Sequence, residues 1–291
     1  MSGSSYYVPH ETKWPFLATV ALIIMFIGLA NYMNDESNLT LTYTGLALLL
    51  LVIYGWFSYV VNESEGGLYD AQVDMSFRWG MAWFIFSEVM FFAAFFGALY
   101  YARELSLPWL AGEGSKVSTN QELWPTFENV WPSNGPANVG GEFIVMKAAG
   151  IPALNTIILL ISGLTVTWAH HGLKEGKRNQ LILGLTATVL LGFIFVGFQA
   201  YEYSHAYNDL NLKMTSGMYG STFYMLTGFH GFHVTLGAIM LTVILFRCIR
   251  GHFTNENHFG FVCKSIFNIF KIRHIHIRDC NSLRFSFYFV K

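Results

Sequence analysis

The chain has 291 residues, of which 53% are hydrophobic, 17% aromatic and only 12% charged, and its formal net charge is −1. Soluble proteins carry about 25% charged residues, so this composition cannot supply a water-facing surface for a chain of this length. It also excludes a disordered chain, which needs high charge, and a nucleic-acid-binding domain, which needs a basic surface. The composition therefore predicts an integral membrane protein.

Six segments are apolar and long enough to cross a bilayer as helices, since a span needs about 20 residues. In chain order they are Pro15–Met33, Leu41–Val61, Trp79–Tyr101, Pro152–His171, Leu181–Tyr201 and Tyr219–Phe246. The predicted fold is thus an all-α, polytopic transmembrane helix bundle. Lysine and arginine are more frequent in one set of connecting segments, which places the N-terminus inside and the long 102–151 loop outside.

Glu88 is the clearest polar exception inside a predicted span. It lies nine residues into the Trp79–Tyr101 segment, about 13 Å from the start and close to the middle of the bilayer. An ionised carboxylate is costly at that depth, so we expect the carboxyl to be protonated. The position indicates a functional residue. A proton relay, an ion site and a polar contact to lipid remain open, beside a hydrogen bond to a neighbouring helix.

Histidines near the spans form a second group of candidates. His230 and His233 are three residues apart, so they share one face of the sixth span, and Gly231 between them allows close helix approach. His170 and His171 end the fourth span, and adjacent residues point to different faces of a helix. We expect these side chains to form hydrogen bonds to other helices or to lipid headgroups rather than to bind metal.

Glu202 and His205 have the Glu-x-x-His spacing that di-iron helix bundles use. A di-iron site needs two such motifs, and the sequence has one. Both residues also follow a span directly, where polar residues are ordinary. Metal binding here is therefore the less favoured interpretation.

Small residues recur every fourth position in the fifth span, at Gly184, Thr188 and Gly192. Small side chains let helix backbones approach each other closely in lipid, where packing drives helix association. This stripe predicts a helix-packing face and no chemistry.

Four longer segments resemble cytochrome c oxidase subunit 3. They are FRWGMAWFIFSEVMFF at 77–92, PALNTIILLISGLTVTWAHH at 152–171, YGSTFYMLTGFHGFH at 219–233 and HFTNENHFGF at 252–261. They are similar to the third, fourth and sixth helices of that family and to the loop that follows the sixth. The resemblance covers most of residues 15–261 in the same order.

The resemblance implies an accessory, non-redox subunit of the terminal oxidase that passes electrons from cytochrome c to oxygen and pumps protons. The family folds as seven transmembrane helices, two on one side and five on the other side of a cleft filled with phospholipid. Haem and copper belong to the partner subunits I and II, and only bound phospholipid is implied for this chain. The family roles are support of proton uptake and protection of the catalytic subunit during turnover.

Several residues take their expected roles from the resemblance. Glu88 corresponds to the buried carboxyl that faces the cleft, and Glu63 to an acid at the end of the second helix near a lipid headgroup. His230 and His233 match the family's histidine pair, with a lipid contact expected at His233. Many members have an arginine before the second-helix glutamate, where this chain has Asn62, so Arg78 is the expected substitute as a phosphate contact.

Two further departures concern longer segments. The outer loop is longer than in compact members, which leaves room for a partner contact. The family's seventh helix should begin near Phe261, but residues 262–291 form a basic tail without a run of spanning length. We therefore expect a transmembrane domain over 1–261 and a tail over 262–291 that arises from a frameshift, an insertion or a mis-called gene end, or is a divergent tail.

Two other functions fit parts of the sequence. A self-contained, metal-dependent membrane oxidase would use Glu202, His205 and the helix histidines, and a proton transporter would use Glu88. The bacterial cytoplasmic membrane is the expected location, with the mitochondrial inner membrane as the alternative.

Overall fold

The computed structural model describes residues 7, 12–34 and 38–251, and over these ranges the regular structure is helical throughout. Six helical spans are long and apolar enough to cross a membrane in the described part of the chain. They are α1 (Trp14–Met33), α2 (Thr40–Glu65), α3 (Ala71–Tyr101, continued to Leu110), α6 (Ile151–Lys174), α7 (Arg178–Asn208) and α8 (Gly217–Arg250). The all-α membrane fold and its six spans are confirmed. The tail 262–291 and the 252–261 motif lie outside the described residues.

Three of the helices extend well beyond their predicted ends, because the prediction followed apolar runs and helices continue through polar residues. The helix α3 begins at Ala71 rather than Trp79, where the Asp70 carboxylate accepts a 2.8 Å hydrogen bond from the Val73 amide and caps the first turn. The helix α7 continues through seven further residues to Asn208. The helix α8 ends at Arg250, and the following Gly251 has a positive φ of 81°, which is the usual helix-stop conformation.

The chain divides into two compact units, Met1–Gly80 and Met81–Lys291. In the first unit α1 and α2 pack against each other through glycines. A side chain at Gly45 would collide with the Met25 backbone, and one at Gly28 would collide with the Thr42 backbone. The two helices therefore approach to backbone contact, which only glycine allows.

In the second unit α6, α7 and α8 form the core. Thr188 is 1% exposed and its hydroxyl lies 2.8 Å from that of Thr165 in α6. A Cβ at Gly184 would lie 3.0 Å from the Ala169 Cβ, and one at Gly192 would lie 3.3 Å from the Ala238 Cβ. The small-residue stripe of α7 is therefore a packing face between α6 and α8, as predicted.

The long loop after α3 is folded onto the second unit. It contains a π-helical turn at Ala102–Ser106 and the short helices α4 (Leu107–Leu110) and α5 (Val117–Leu123). Farther along, Phe143 stacks on Tyr219 at 5.5 Å, and the Ile144 amide donates to the Leu210 carbonyl at 2.9 Å. The loop thus packs where α7 ends and α8 begins, which positions residues 144–152 beside the last turns of α7.

Candidate functional site: the Glu88–His233 pair

Glu88 and His233 form a side-chain pair between α3 and α8, both within the second unit. The His233 Nε2 atom is in hydrogen-bond contact with the Glu88 Oε2 atom. The two side chains are largely buried, with 25% of the Glu88 side chain and 16% of the His233 side chain exposed. A carboxyl expected near mid-bilayer thus has a specific partner 145 residues away in the sequence.

The second ring nitrogen of His233 determines where the protons lie. His233 Nδ1 is 2.6 Å from the Phe229 carbonyl oxygen, which can only accept, so Nδ1 carries a hydrogen. The contact between Nε2 and Glu88 then holds one further proton, on either the ring or the carboxyl. In both forms the pair has zero net charge, which suits a site of low dielectric constant.

Aromatic rings surround the imidazole and keep its environment apolar. The ring centroids of Phe92, Phe232 and Phe91 lie 5.2, 6.0 and 6.1 Å from that of His233. Phe91 in turn packs edge-on against Phe229 at 5.0 Å. A hydrogen bond in such surroundings is stronger than in water, and loss of either partner is correspondingly costly.

His230 packs against a different helix from the one that His233 contacts, although the spacing predicted one shared face. Its ring packs edge-on against Phe195 of α7 at 5.6 Å, whereas His233 faces α3. Between them, Gly231 lies so close to α7 that a Cβ would be 2.5 Å from the Gln199 Oε1 atom. The two histidines therefore serve different neighbouring helices.

Glu63 lies at the end of α2 and both its oxygens are occupied. The Tyr7 hydroxyl donates to Oε1 at 2.7 Å and the Tyr69 hydroxyl to Oε2 at 2.9 Å. The hydrogen bond to Glu63 raises the pKa of Tyr7 to about 12, and burial together with the same carboxylate raises the pKa of Tyr69. The sequence reasoning missed both tyrosines. The contact of Tyr69 could have been predicted, because Tyr69 lies only six positions from Glu63 in the sequence. The contact of Tyr7 could not, because 56 positions separate it from Glu63.

Arg78 lies in the first unit on the exposed side of α3. Its Nε atom forms a 2.8 Å ion pair with the Asp74 Oδ2 atom, one turn earlier, and 52% of its side chain is exposed. Such an exposed pair within one helix contributes only about 0.3–0.5 kcal/mol. The arginine can therefore exchange this partner for another anion at small cost.

The residues considered for metal binding do not form a set of metal ligands in the described part of the chain. The Glu202 Oε2 atom accepts a long, 3.4 Å hydrogen bond from the Asn155 Nδ2 atom, and the His205 Nδ1 atom lies 2.5 Å from the Asp209 Oδ2 atom. Over residues 12–34 and 38–251, no three histidine, cysteine or acidic side chains converge as metal ligands would. The two residues of the Glu-x-x-His motif thus have different partners, Asn155 for Glu202 and Asp209 for His205.

Comparison with known proteins identifies the family. The model of the family "Cytochrome c oxidase subunit III" matches residues 4–276. Proteins named cytochrome c oxidase subunit 3 from Tetraodon nigroviridis, Gadus morhua and Squalus acanthias are each 40% identical to this chain over 258 residues, which is 88% of both lengths. The chain belongs to the cytochrome c oxidase subunit III family. It is accordingly a membrane-embedded subunit of an oxidoreductase complex and has partner subunits.

The family match is consistent with the sequence motifs. Both Glu88 and the two histidines of α8 lie in the segments on which the resemblance was based. The match also continues to residue 276, beyond Phe261. The expected division between a domain at 1–261 and a tail at 262–291 stays a prediction.

Proposed function

We propose that this chain is the accessory, non-redox subunit of its oxidase, and that the Glu88–His233 pair holds a structural phospholipid next to α3 and α8. Haem and copper then belong to the partner subunits I and II. The observation that carries the proposal is the contact between the largely buried Glu88 and His233 side chains, which leaves the Glu88 Oε1 atom to accept a hydrogen bond from a polar group of the lipid.

The proposal gives the chain a supporting role in proton uptake and in the stability of the catalytic subunit during turnover. A lipid held by side chains on two helices stabilises their spacing and keeps water out of the neighbouring subunit contact. Glu63 and Arg78 are proposed as further headgroup contacts in the first unit. The two tyrosines on Glu63 support this role by supplying hydroxyl groups beside the carboxylate.

The proposed location is the mitochondrial inner membrane, with the N-terminus on the inner side. The relatives named above are vertebrate proteins, which favours this membrane over the bacterial one that the sequence alone suggested. The packing of the long loop against the end of α7 agrees with spans that alternate in direction, which place both on one side of the membrane.

The test is Glu88→Gln in the assembled oxidase, with Glu122→Gln, an exposed acid in α5, as the matched control. We expect normal assembly, faster inactivation during sustained turnover and at least one retained phospholipid fewer per complex for Glu88→Gln. The control should behave as wild type. Unchanged lipid content and unchanged inactivation would refute the proposal. A proton flux in vesicles holding this chain alone, abolished by Glu88→Gln, would support the transporter instead.

A further inference from the structure

The second unit carries a concentration of basic side chains at the end where α6 ends, α7 begins and α8 ends. Residues 171–180 and 245–251, which we call the basic end, contain five bases and one acid, Glu175. The bases are Lys174, Lys177, Arg178, Arg247 and Arg250. With histidine neutral, the basic end has a net charge of +4, in a chain whose total is −1.

These bases share one surface because the three helix ends pack against each other. Leu173 of α6, Leu181 of α7 and Cys248 of α8 belong to one buried cluster. The Arg178 Nη2 atom also donates a 2.7 Å hydrogen bond to the Ile249 carbonyl oxygen, which ties the start of α7 to the end of α8. Bases that are distant in the sequence therefore lie in one patch.

Little of this charge is neutralised within the chain. The Lys177 Nζ atom forms a 2.7 Å ion pair with Glu175, and the hydrogen bond of Arg178 goes to an uncharged carbonyl group. Lys174 and Arg250 are exposed, and neither has an ion pair or hydrogen bond to any residue that the structure describes. Two full positive charges are thus available to a partner.

The basic end reaches the outer edge of the lipid headgroups. The middle layer of the unit contains one residue from each helix, Ile158, Phe195 and Val234. Lys174, Arg178 and Arg250 lie 16 or 17 residues from this layer, or about 24–26 Å at 1.5 Å per residue. Half a bilayer with its headgroups measures about 20–22 Å, and a helix tilt of about 20° shortens the rise by only about 2 Å. A water-soluble segment can therefore reach these side chains.

The preference of membrane proteins for bases on one side of the membrane does not explain this concentration. Spans that alternate in direction place the connection between α2 and α3 on the same side as the basic end. That connection, residues 63–78, has four acids and one base, Arg78. A topology signal acts on short connections generally, whereas here the bases are confined to the ends of α6, α7 and α8.

The dimensions of the basic end suit a row of carboxylates better than one small anion. The axes of packed helices are about 8–10 Å apart, so charges on three helix ends do not converge on a single phosphate group. The ends of α6 and α8 are also C-termini, whose carbonyl groups disfavour an anion placed directly against them. Aspartate and glutamate side chains along a polypeptide can meet the bases one by one.

We propose that the basic end is an interface for an acidic extramembrane segment of a partner subunit of the oxidase, with carboxylates of that segment on Lys174 and Arg250. The proposal rests on membership of the family, which implies partner subunits, and not on the phospholipid proposed at the Glu88–His233 pair. Complementary charges steer association and fix the register of an interface. The contact thus orients this chain in the complex.

Carbodiimide coupling of the assembled oxidase, followed by mass spectrometry of the cross-linked peptides, tests the contact. A water-soluble carbodiimide joins a lysine amine to a carboxylate that touches it as an amide, without a spacer. We expect Lys174 to be joined to an aspartate or glutamate of a partner subunit at low salt. The yield should fall at 1 M salt, where charges are screened beyond about 3 Å. Coupling of Lys174 only within this chain, or to no carboxylate, would overturn the proposal.

Charge reversal measures how much the contact contributes. At low salt, Lys174→Glu should raise the dissociation constant of this chain from the detergent-solubilised oxidase about threefold, and the double variant with Arg250→Glu about tenfold. Lys116→Glu, at an exposed base of the long loop, is the matched control and should leave the constant unchanged. The differences should vanish at 1 M salt.

An effect of the control equal to that of Lys174→Glu, or no effect of the double reversal, overturns the proposal. A difference that disappears when anionic lipid is removed assigns the basic end to lipid and overturns it as well. If the double reversal does not assemble, Lys174→Gln with Arg250→Gln takes its place, because it removes the charges without adding opposite ones. This variant should raise the constant about threefold, and an unchanged constant would contradict the contact.

Discussion

Replacement of both members of the Glu88–His233 pair should be less harmful than replacement of either one. Glu88→Leu leaves the buried His233 ring nitrogen without its partner, and His233→Leu does the same to the carboxyl. An unsatisfied buried polar group costs about 1–3 kcal/mol. Because 16–25% of these side chains is exposed, we expect about 1.5 kcal/mol for each single variant.

The double variant removes both polar groups from an environment already lined by phenylalanine rings, so its cost should fall to within about 1 kcal/mol of wild type. The interaction energy between the two sites is then about 2 kcal/mol or more. Reversible unfolding in mixed detergent micelles measures the free energy of unfolding of all four proteins. A second cycle with Glu88→Leu and His205→Leu, whose contacts are separate, serves as the additive control.

Additive losses in the first cycle would refute the reasoning, because they would mean that each residue acts through other contacts. The same result would remove the support for a shared proton between Nε2 and the carboxyl.

Three other predictions concern the packing and the first unit. Gly231→Ala should displace the Gln199 amide, break its 2.8 Å hydrogen bond to the Thr227 carbonyl and lower the free energy of unfolding by about 1 kcal/mol. In the control Gly237→Ala, in the same helix, the added methyl group meets open space, so the free energy of unfolding should not fall. Equal losses in the two variants would contradict the close contact between Gly231 and Gln199. Gly45→Ala, which would meet the Met25 backbone, should cost about 2–3 kcal/mol in the same assay, and a neutral result would contradict backbone contact between α1 and α2. The raised pKa of Tyr7 means that its hydrogen bond to Glu63 is fully present below about pH 10 and is lost as the pH rises through about 12. Glu63→Gln should return the pKa of the Tyr7 ring, measured by carbon NMR, toward 10. An unchanged pKa would contradict the hydrogen bond.

The six spans were predictable because apolar length alone defines a membrane helix. The ends of these helices were harder to predict. The start of α3 depends on the cap at Asp70, and the end of α7 depends on polar residues that remain helical. The stripe from Gly184 to Gly192 was also predictable, because small residues at helical spacing have one main use in lipid.

The importance of Glu88 was predictable from its depth, but its partner was not. The contact with His233 joins positions 145 residues apart, and no local pattern links them. The spacing of His230 and His233 predicted a common face, yet a separation of three residues spans about 60° of rotation around a helix. That angle is enough to direct the two rings to α7 and α3 respectively.

For Glu202, unlike Glu88, the sequence pattern suggested the wrong chemistry. Its spacing to His205 resembles a metal motif, and only the three-dimensional arrangement shows that His205 is already paired with Asp209 and that Glu202 faces a cavity. Residues 144–152, which complete that cavity, lie in a loop without periodicity, so their position could not be inferred from the sequence.

Native mass spectrometry of the intact oxidase, with lipids retained and this chain released in the gas phase, tests the central claim most directly. We predict that the complex carries haem and copper, and that the released chain carries phospholipid and no metal or haem. Substitution of Glu88 and His233 together should reduce the number of lipids on the released chain. A released chain with stoichiometric iron, copper or haem, or with the same lipids after that substitution, would contradict the account.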